Sequence, residues 1–153
     1  MPDEGCSATE YTDLCNGHYN TISQSFERDK RDEMIKVLLV DDQPSVRQGL
    51  KMRLALEPDL TVAGEASNGV EALELTQSLT PDVVVMDVEM PEMDGITATE
   101  RLREMSPHVT VVMLSLHGDA ATRAQAYAAG AAAFVEKQGA VEILLAEIRR
   151  AAQ

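Results

Sequence analysis

The most constraining feature of the sequence is an unbroken apolar run at residues 83–86 (Val-Val-Val-Met) that ends in the carboxylate of Asp87. A strand that is apolar at every position is buried on both faces, as in a parallel sheet covered by helices on both sides. A turn that contains Pro91, Asp94 and Gly95 follows, so Asp87 is predicted to lie where a strand gives way to a loop. Open α/β sheets bind their ligands at such strand ends.

The same pattern of an apolar run, a turn and an amphipathic stretch repeats from Ile35 to the end of the chain. It predicts strands at residues 35–40, 61–66, 82–86, 109–114 and 132–135. It predicts helices from Pro44 to a stop at Pro58 and at residues 70–79, 96–105, 120–129 and 141–152. The alternation indicates an α/β fold, a doubly wound five-stranded parallel sheet of order 2-1-3-4-5 that is flavodoxin-like.

A second apolar run, residues 37–40, also ends in carboxylates, those of Asp41 and Asp42. In the predicted order, strands one and three are neighbours, so Asp41, Asp42 and Asp87 are expected to meet at one crevice. Three clustered carboxylates repel one another and usually need a cation. The sequence therefore predicts a cation site at this edge of the sheet.

The core is predicted to be aliphatic, because aromatic residues make up only 3% of the chain. In the first helix, Val46, Leu50 and Leu54 fall at helical spacing together with Met52 and Leu56. Met52 is interpreted as a packing residue, as are the other methionines of the folded part.

Length and charge limit what the chain can do. Its 153 residues leave room for one ordinary domain, which we expect at residues 34–153, after a mobile polar tail at residues 1–33. A net charge of −13 disfavours direct DNA or RNA binding, because it repels the phosphate backbone. Membrane-spanning apolar runs and signal-peptide features are both missing, so we expect a cytoplasmic protein that does not enter the membrane.

The leading segment holds three potential metal ligands, Cys6, Cys15 and His18. A fourth ligand is missing and the spacing fits no common zinc pattern, so two free thiols are the preferred interpretation. The charged residues from Ser25 onward are compatible with a short helix whose face is solvated.

Two further side chains complete a known pattern, Ser115 after the fourth strand and Lys137 after the fifth. Together with Asp87 and the acidic pair after the first strand, they make residues 34–152 resemble a response-regulator receiver domain of two-component phosphorelay systems. The resemblance implies the receiver fold. It also implies a signalling phosphoacceptor, which is not an enzyme beyond its own phosphorylation and dephosphorylation.

The resemblance assigns the acidic residues to phosphoryl transfer. Asp87 would be the nucleophile that takes the phosphoryl group as an acyl phosphate. Asp42, Asp87 and the backbone carbonyl of Glu89 would bind Mg²⁺ directly, and Asp41 would hold a metal-bound water. The phosphate would come from a sensor histidine kinase or a histidine phosphotransfer protein.

The resemblance assigns the remaining residues to binding and signalling. Lys137 would pair with the phosphoryl oxygens, and the Ser115 hydroxyl would donate a hydrogen bond to one of them. In the family, this serine moves toward the phosphoryl group and an aromatic ring, here Phe134, turns inward. The change remodels the face formed by helix four, strand five and helix five, which we expect to contact an output protein or a second copy of the chain.

Two alternatives stay open. Leu116 and Gln138 look like the branch of the family whose members usually carry a C-terminal helix-turn-helix domain, so the chain could be the receiver portion of a longer DNA-binding transcriptional regulator. A magnesium-dependent phosphatase of the haloacid-dehalogenase type also uses an aspartate nucleophile. That class predicts Asp-x-Asp after the first strand, whereas residues 41–44 read Asp-Asp-Gln-Pro.

Overall fold

The computed structural model describes residues 34–153, which form a five-stranded parallel sheet with helices packed on both faces. The strands are β1 (Ile35–Val40), β2 (Leu60–Ala66), β3 (Val83–Asp87), β4 (Thr110–Ser115) and β5 (Ala133–Glu136). The helices are α1 (Pro44–Leu54), α2 (Gly69–Leu79), α3 (Gly95–Met105), α4 (Ala120–Ala129) and α5 (Val141–Ala151). The expectations for the tail, its charged helix, Cys6, Cys15 and His18 lie outside the described residues.

The strand order is β2-β1-β3-β4-β5, which confirms the predicted fold. All four neighbouring pairs are parallel, and β1 lies between β2 and β3. The strand boundaries agree with the prediction to within one residue. This one-residue difference matters at the ends of β3 and β4. Asp87 and Ser115 are the last residues of β3 and β4, so the sheet itself holds their backbones.

Alternate residues of each strand enter two different aliphatic cores. On one side of the sheet, Val37 and Leu39 of β1 pack with the apolar faces of α1 and α5, including Leu54 and Ile148. On the other side, the intervening β1 residues pack with α2, α3 and α4. Full burial of a large aliphatic side chain stabilises the fold by about 1.5–3 kcal/mol. The two cores therefore hold the carboxyl ends of the strands in register.

The predicted packing of the first helix was wrong in two places. Met52 is 63% exposed and Leu56 is 72% exposed, whereas Leu54 is fully buried. Met52 lies two positions from Leu54, about 200° around a helix of 3.6 residues per turn, so the two side chains point in opposite directions. The helix ends at Leu54, and Leu56 and Glu57 follow in a tighter turn in which their N–H groups bond three residues back.

Three helices start immediately beyond the carboxyl end of the sheet, each with a side-chain cap. Asn68, Asp94 and Asp119 accept hydrogen bonds from backbone N–H groups three residues later, at 2.9, 2.7 and 2.7 Å. Such caps contribute about 1 kcal/mol each, and they fix the loops that surround the strand ends. Within residues 34–153, every helix is too short or too polar to cross a bilayer.

Candidate functional site

The three predicted carboxylates do come together at the ends of β1 and β3. Asp41 and Asp42 directly follow β1, and Asp87 closes β3, the strand beside it. One carboxylate oxygen of each residue lies within 4.8 Å of the other two. Asp41 and Asp87 are only 1% and 5% exposed, while Asp42 is exposed. We call these three residues the acidic crevice.

The acidic crevice opens into a cavity of about 340 Å³ at the surface. The cavity is lined by Asp42, Gln43, Asp87, Glu89, Met90, Pro91, Leu116 and Lys137. The Asp87 carboxylate can therefore be reached from the surface without any rearrangement of the sheet.

Lys137 supplies the cation of the site. It follows β5, and its Nζ lies 2.7 Å from Asp41 Oδ2 and 3.1 Å from Asp87 Oδ2. Burial lowers the pKa of the Lys137 ammonium, but the hydrogen bond to Asp41 and the charges of both carboxylates outweigh burial and raise it above 10.5. Lys137 is therefore charged at any physiological pH.

Asp87 is held in an environment that disfavours its charge. Burial is the largest cause and the charge of Asp41 the next, and together they raise the pKa of Asp87 to about 6. Lys137 and the backbone N–H of Glu89 act in the opposite direction. At neutral pH most Asp87 carboxyl groups are still ionised, so the carboxylate is available as a nucleophile.

One oxygen of the acidic crevice has unused bonding capacity. Asp41 Oδ1 accepts a hydrogen bond from the Gln43 N–H at 2.9 Å. Asp41 Oδ2 is the one buried side-chain oxygen, among the described residues, for which no hydrogen bond of good geometry is found, although Lys137 Nζ lies close to it. Lys137 therefore offsets the charge of this oxygen. An oxygen-only donor set of this kind suits Mg²⁺, so the residues present fit this ion.

Ser115 lies beside the acidic crevice, but its hydroxyl is used elsewhere. Its Oγ donates to the carbonyl oxygen of His117 at 2.9 Å and accepts from the His117 N–H at 3.1 Å. The side chain is 3% exposed. In this conformation, the Ser115 hydroxyl makes both of its hydrogen bonds to His117 in the β4–α4 loop.

Phe134 is buried in β5 under a charged side chain of α4. Phe134 is 7% exposed, and the Arg123 guanidinium carbon lies 4.7 Å from the centroid of its ring. This distance places Arg123 within the range of a cation–π interaction. Glu89 is exposed, and the predicted role of its backbone carbonyl stays a prediction.

Arg47 is a charged residue of the site that the sequence reasoning missed. Its guanidinium Nη1 donates a short hydrogen bond to the backbone carbonyl of Asp41, and its Nε lies 3.3 Å from Glu65 Oε1. A signal was present, because Glu65 is the one charged residue within β2, and Arg47 and Lys51 are spaced to meet it from one face of a helix.

The comparison with protein families shows which family the chain resembles. Residues 37–149 match the family model described as response regulator receiver domain. The nitrate/nitrite response regulator protein NarL of Escherichia coli is 38% identical over 120 residues, which cover 78% of this chain and 56% of NarL. The transcriptional regulatory protein DegU of Brevibacillus brevis is 33% identical over 119 residues, 78% of this chain and 50% of DegU. The chain spans about half the length of these curated relatives.

Solved structures agree with the sequence relatives. The response regulator domain of Thermotoga maritima CheB superposes with a TM-score of 0.73 at 35% identity, covering 78% of this chain and 96% of that domain. The signal receiver domain of the putative response regulator NarL from Mycobacterium tuberculosis gives a TM-score of 0.73 at 36% identity, with coverage of 78% and 97%.

Proposed function

Because this chain belongs to the response regulator receiver domain family, we propose that Asp87 accepts a phosphoryl group from the phosphohistidine of a sensor histidine kinase or a histidine phosphotransfer protein. The observation that carries the proposal is the position of Asp87. Its carboxylate lies at the base of an open cavity, 3.1 Å from the Lys137 ammonium and beside two further carboxylates.

In the proposed step, an ionised Asp87 oxygen attacks the phosphorus of the phosphohistidine. The new O–P bond forms as the P–N bond breaks, and the imidazole leaves with the electron pair of that bond. Lys137 already pairs with Asp87, so its ammonium is in position to donate charge-assisted hydrogen bonds to the phosphoryl oxygens. The protein supplies position and charge for this transfer and needs no further catalytic base.

Asp41, Asp42 and Asp87, with the backbone carbonyl of Glu89, are proposed to hold Mg²⁺. When bound, the ion would neutralise charge on the phosphoryl oxygens. The chemistry of the donor set supports this assignment, because Asp41, Asp42 and Asp87 bring together three carboxylates, and oxygen ligands are those that Mg²⁺ prefers.

Ser115 and Phe134 are proposed to carry the signal outward. To donate to a phosphoryl oxygen, the Ser115 hydroxyl must give up its bond to the His117 carbonyl, which frees the loop before α4. Phe134 lies under α4 and is covered by Arg123, so a movement of α4 changes the environment of the ring. The face of α4, β5 and α5 would then contact an output protein or a second copy of the chain.

The test is phosphorylation with acetyl phosphate, or with a phosphorylated histidine kinase, in the presence of Mg²⁺. Intact-mass analysis should show one added phosphoryl group on the wild type and none on Asp87→Asn. Asp94→Asn is the matched control, because Asp94 lies in the next loop and caps α3. Undiminished labelling of Asp87→Asn would refute the assignment, and turnover of a generic phosphate ester would favour the phosphatase alternative.

A second proposal concerns the output. NarL and DegU are named as a response regulator and a transcriptional regulator, and this chain matches about half of each. The alternative proposal is therefore that the chain is the receiver portion of a longer DNA-binding regulator. Sequencing the reading frame beyond the codon for Gln153 decides this, since a helix-turn-helix segment supports it and an immediate stop codon contradicts it.

A further inference from the structure

We propose that Arg47 is a positioning residue for the acidic crevice. It holds the loop that carries Asp41 and Asp42 in the geometry that binds Mg²⁺, and Glu65 holds Arg47 in turn. The inference rests on the proposed function, since it takes the acidic crevice as a magnesium site.

The contacts of Arg47 join three elements of the fold. From α1, its guanidinium reaches the carbonyl oxygen of Asp41 at the end of β1 and the carboxylate of Glu65 in β2. Lys51, one turn further along α1, places its Nζ 2.9 Å from the other oxygen of Glu65. The Arg47 side chain is 17% exposed and Glu65 is 31% exposed, so their interaction is partly shielded from water. Glu65 is thus held by two cations and keeps the planar guanidinium in one orientation.

The other restraints on the loop that Arg47 contacts act on its N–H groups, on the Gln43 carbonyl and on the Asp41 carboxylate, which pairs with Lys137. The Asp41 N–H bonds to the Ala66 carbonyl at 3.1 Å, and the Gln43 N–H bonds to the Asp41 side chain at 2.9 Å. The bond from Arg47 is the side-chain restraint on the Asp41 carbonyl, which lies between the two carboxylates that the loop presents. A charge-assisted hydrogen bond is about twice as strong as a neutral one. Its loss would let the peptide between Asp41 and Asp42 rotate.

The sign of the change in Mg²⁺ affinity when Arg47 is removed distinguishes a positioning role from a purely electrostatic one. A cation close to a metal site repels the metal ion, so removing Arg47 would tighten Mg²⁺ binding if its charge alone mattered. If Arg47 positions the ligands, its removal weakens binding, and loss of a group that orients metal ligands typically costs roughly 10–100-fold in affinity. The two roles therefore predict opposite signs.

Isothermal titration of the whole chain with Mg²⁺ tests the proposal. Arg47→Met should raise the Mg²⁺ dissociation constant by roughly 10–100-fold, and Arg47→Lys should recover part of the loss because it keeps a donor. Glu65→Gln should give an intermediate value, because it releases the guanidinium without removing it. An unchanged or lower dissociation constant for Arg47→Met overturns the proposal.

Arg53→Met is the matched control. Arg53 lies on the same helix, is partly exposed, and pairs with Glu57 at 2.9 Å, so this variant also loses one arginine and one ion pair. We expect its stability to fall by a similar amount with no change in the Mg²⁺ dissociation constant. If Arg53→Met weakens Mg²⁺ binding equally, Arg47 acts only through the stability of the fold, and the positioning role is refuted.

Amide hydrogen exchange without Mg²⁺ separates this proposal from the proposed function. The N–H of Gln43 should exchange faster in Arg47→Met than in the wild type or in Arg53→Met, because the loop has lost its restraint. If the wild type binds no Mg²⁺, the metal part of the proposed function fails, and this exchange rate alone decides the role of Arg47. Equal exchange in the three proteins overturns the positioning role.

Discussion

Gly95 lies directly against the carbonyl oxygen of Asp87, so closely that a Cβ at Gly95 would be far inside van der Waals contact with that oxygen. The Gly95 N–H also donates to the Val88 carbonyl at 2.8 Å. Both neighbours are backbone atoms, one at the end of β3 and one just beyond it, so neither can move aside as a flexible side chain could.

Gly95→Ala should therefore destabilise the protein, by about 1–3 kcal/mol as is typical of overpacking. Gly49→Ala is the control, since Gly49 is exposed within α1 and a Cβ there would meet nothing within 4 Å. Because alanine is the better helix former, that change should stabilise the protein by roughly 0.5–1 kcal/mol. Urea unfolding measures both, and two changes of the same sign would contradict the close approach at Asp87.

Asp87→Asn should stabilise the protein at neutral pH in the absence of Mg²⁺. Raising the pKa of one carboxyl from 3.8 to about 6 corresponds to about 3 kcal/mol. Between these two pH values the folded state binds more protons than the unfolded state, so the stability of the wild type falls as pH rises. Relative to that of Asp87→Asn, the free energy of unfolding of the wild type should fall between pH 3.8 and about 6. Above about pH 6 it should stay lower by a constant amount. Urea unfolding at several pH values tests this, and a pH-independent difference would contradict it.

Mg²⁺ should raise the melting temperature of the wild type. An ion that binds only the folded state stabilises it by about 2.7 kcal/mol when present at 100 times its dissociation constant. Asp42→Asn removes one donor and should abolish most of the increase. Asp94→Asn removes a carboxylate that caps α3 through Thr97, and it should keep the increase. Thermal scans with and without Mg²⁺ measure this, and an equal loss in both variants would indicate nonspecific binding.

Arg123→Ala should destabilise the protein modestly through the loss of its contact with Phe134. A partly exposed cation–π interaction contributes about 0.5–1 kcal/mol. A double-mutant cycle with Phe134→Leu isolates this energy, because Arg123→Ala should have little effect once the ring is gone. Unfolding in urea gives the four free energies, and additive single effects would show that the two side chains do not interact.

The strand ends were predictable because they depend on simple patterns. Continuous apolar runs define β1 and β3, and the order of a doubly wound sheet makes these two strands neighbours. The meeting of Asp41, Asp42 and Asp87 follows from these two facts alone. The position of Lys137 came from the family resemblance, since an isolated lysine carries no such signal.

Three features of the structure were missed by the sequence reasoning, each for a different reason. The Ser115 hydroxyl bonds to His117 because the local loop offers both a donor and an acceptor, which residue order does not reveal. Arg47 was overlooked because its partners, the Asp41 carbonyl and Glu65, are brought together only when α1 packs across β1 and β2. Met52 was grouped with Leu54 on the packed face of the first helix, whereas the helical phase turns its side chain to solvent.

The backbone of Ser115 is fixed, although the proposed switch requires its side chain to change hydrogen-bond partners. Its carbonyl oxygen accepts a hydrogen bond from the Lys137 N–H at 2.8 Å, and the residue pairs with Glu136 of β5. The proposed change at Ser115 would therefore be a rotation about one single bond that leaves the sheet in place. The loop at residues 116–119 would lose a hydrogen bond, and loops rearrange within nanoseconds to microseconds. Residues 116–119 would then set the rate of the conformational change, which would be fast compared with any rearrangement of the strands.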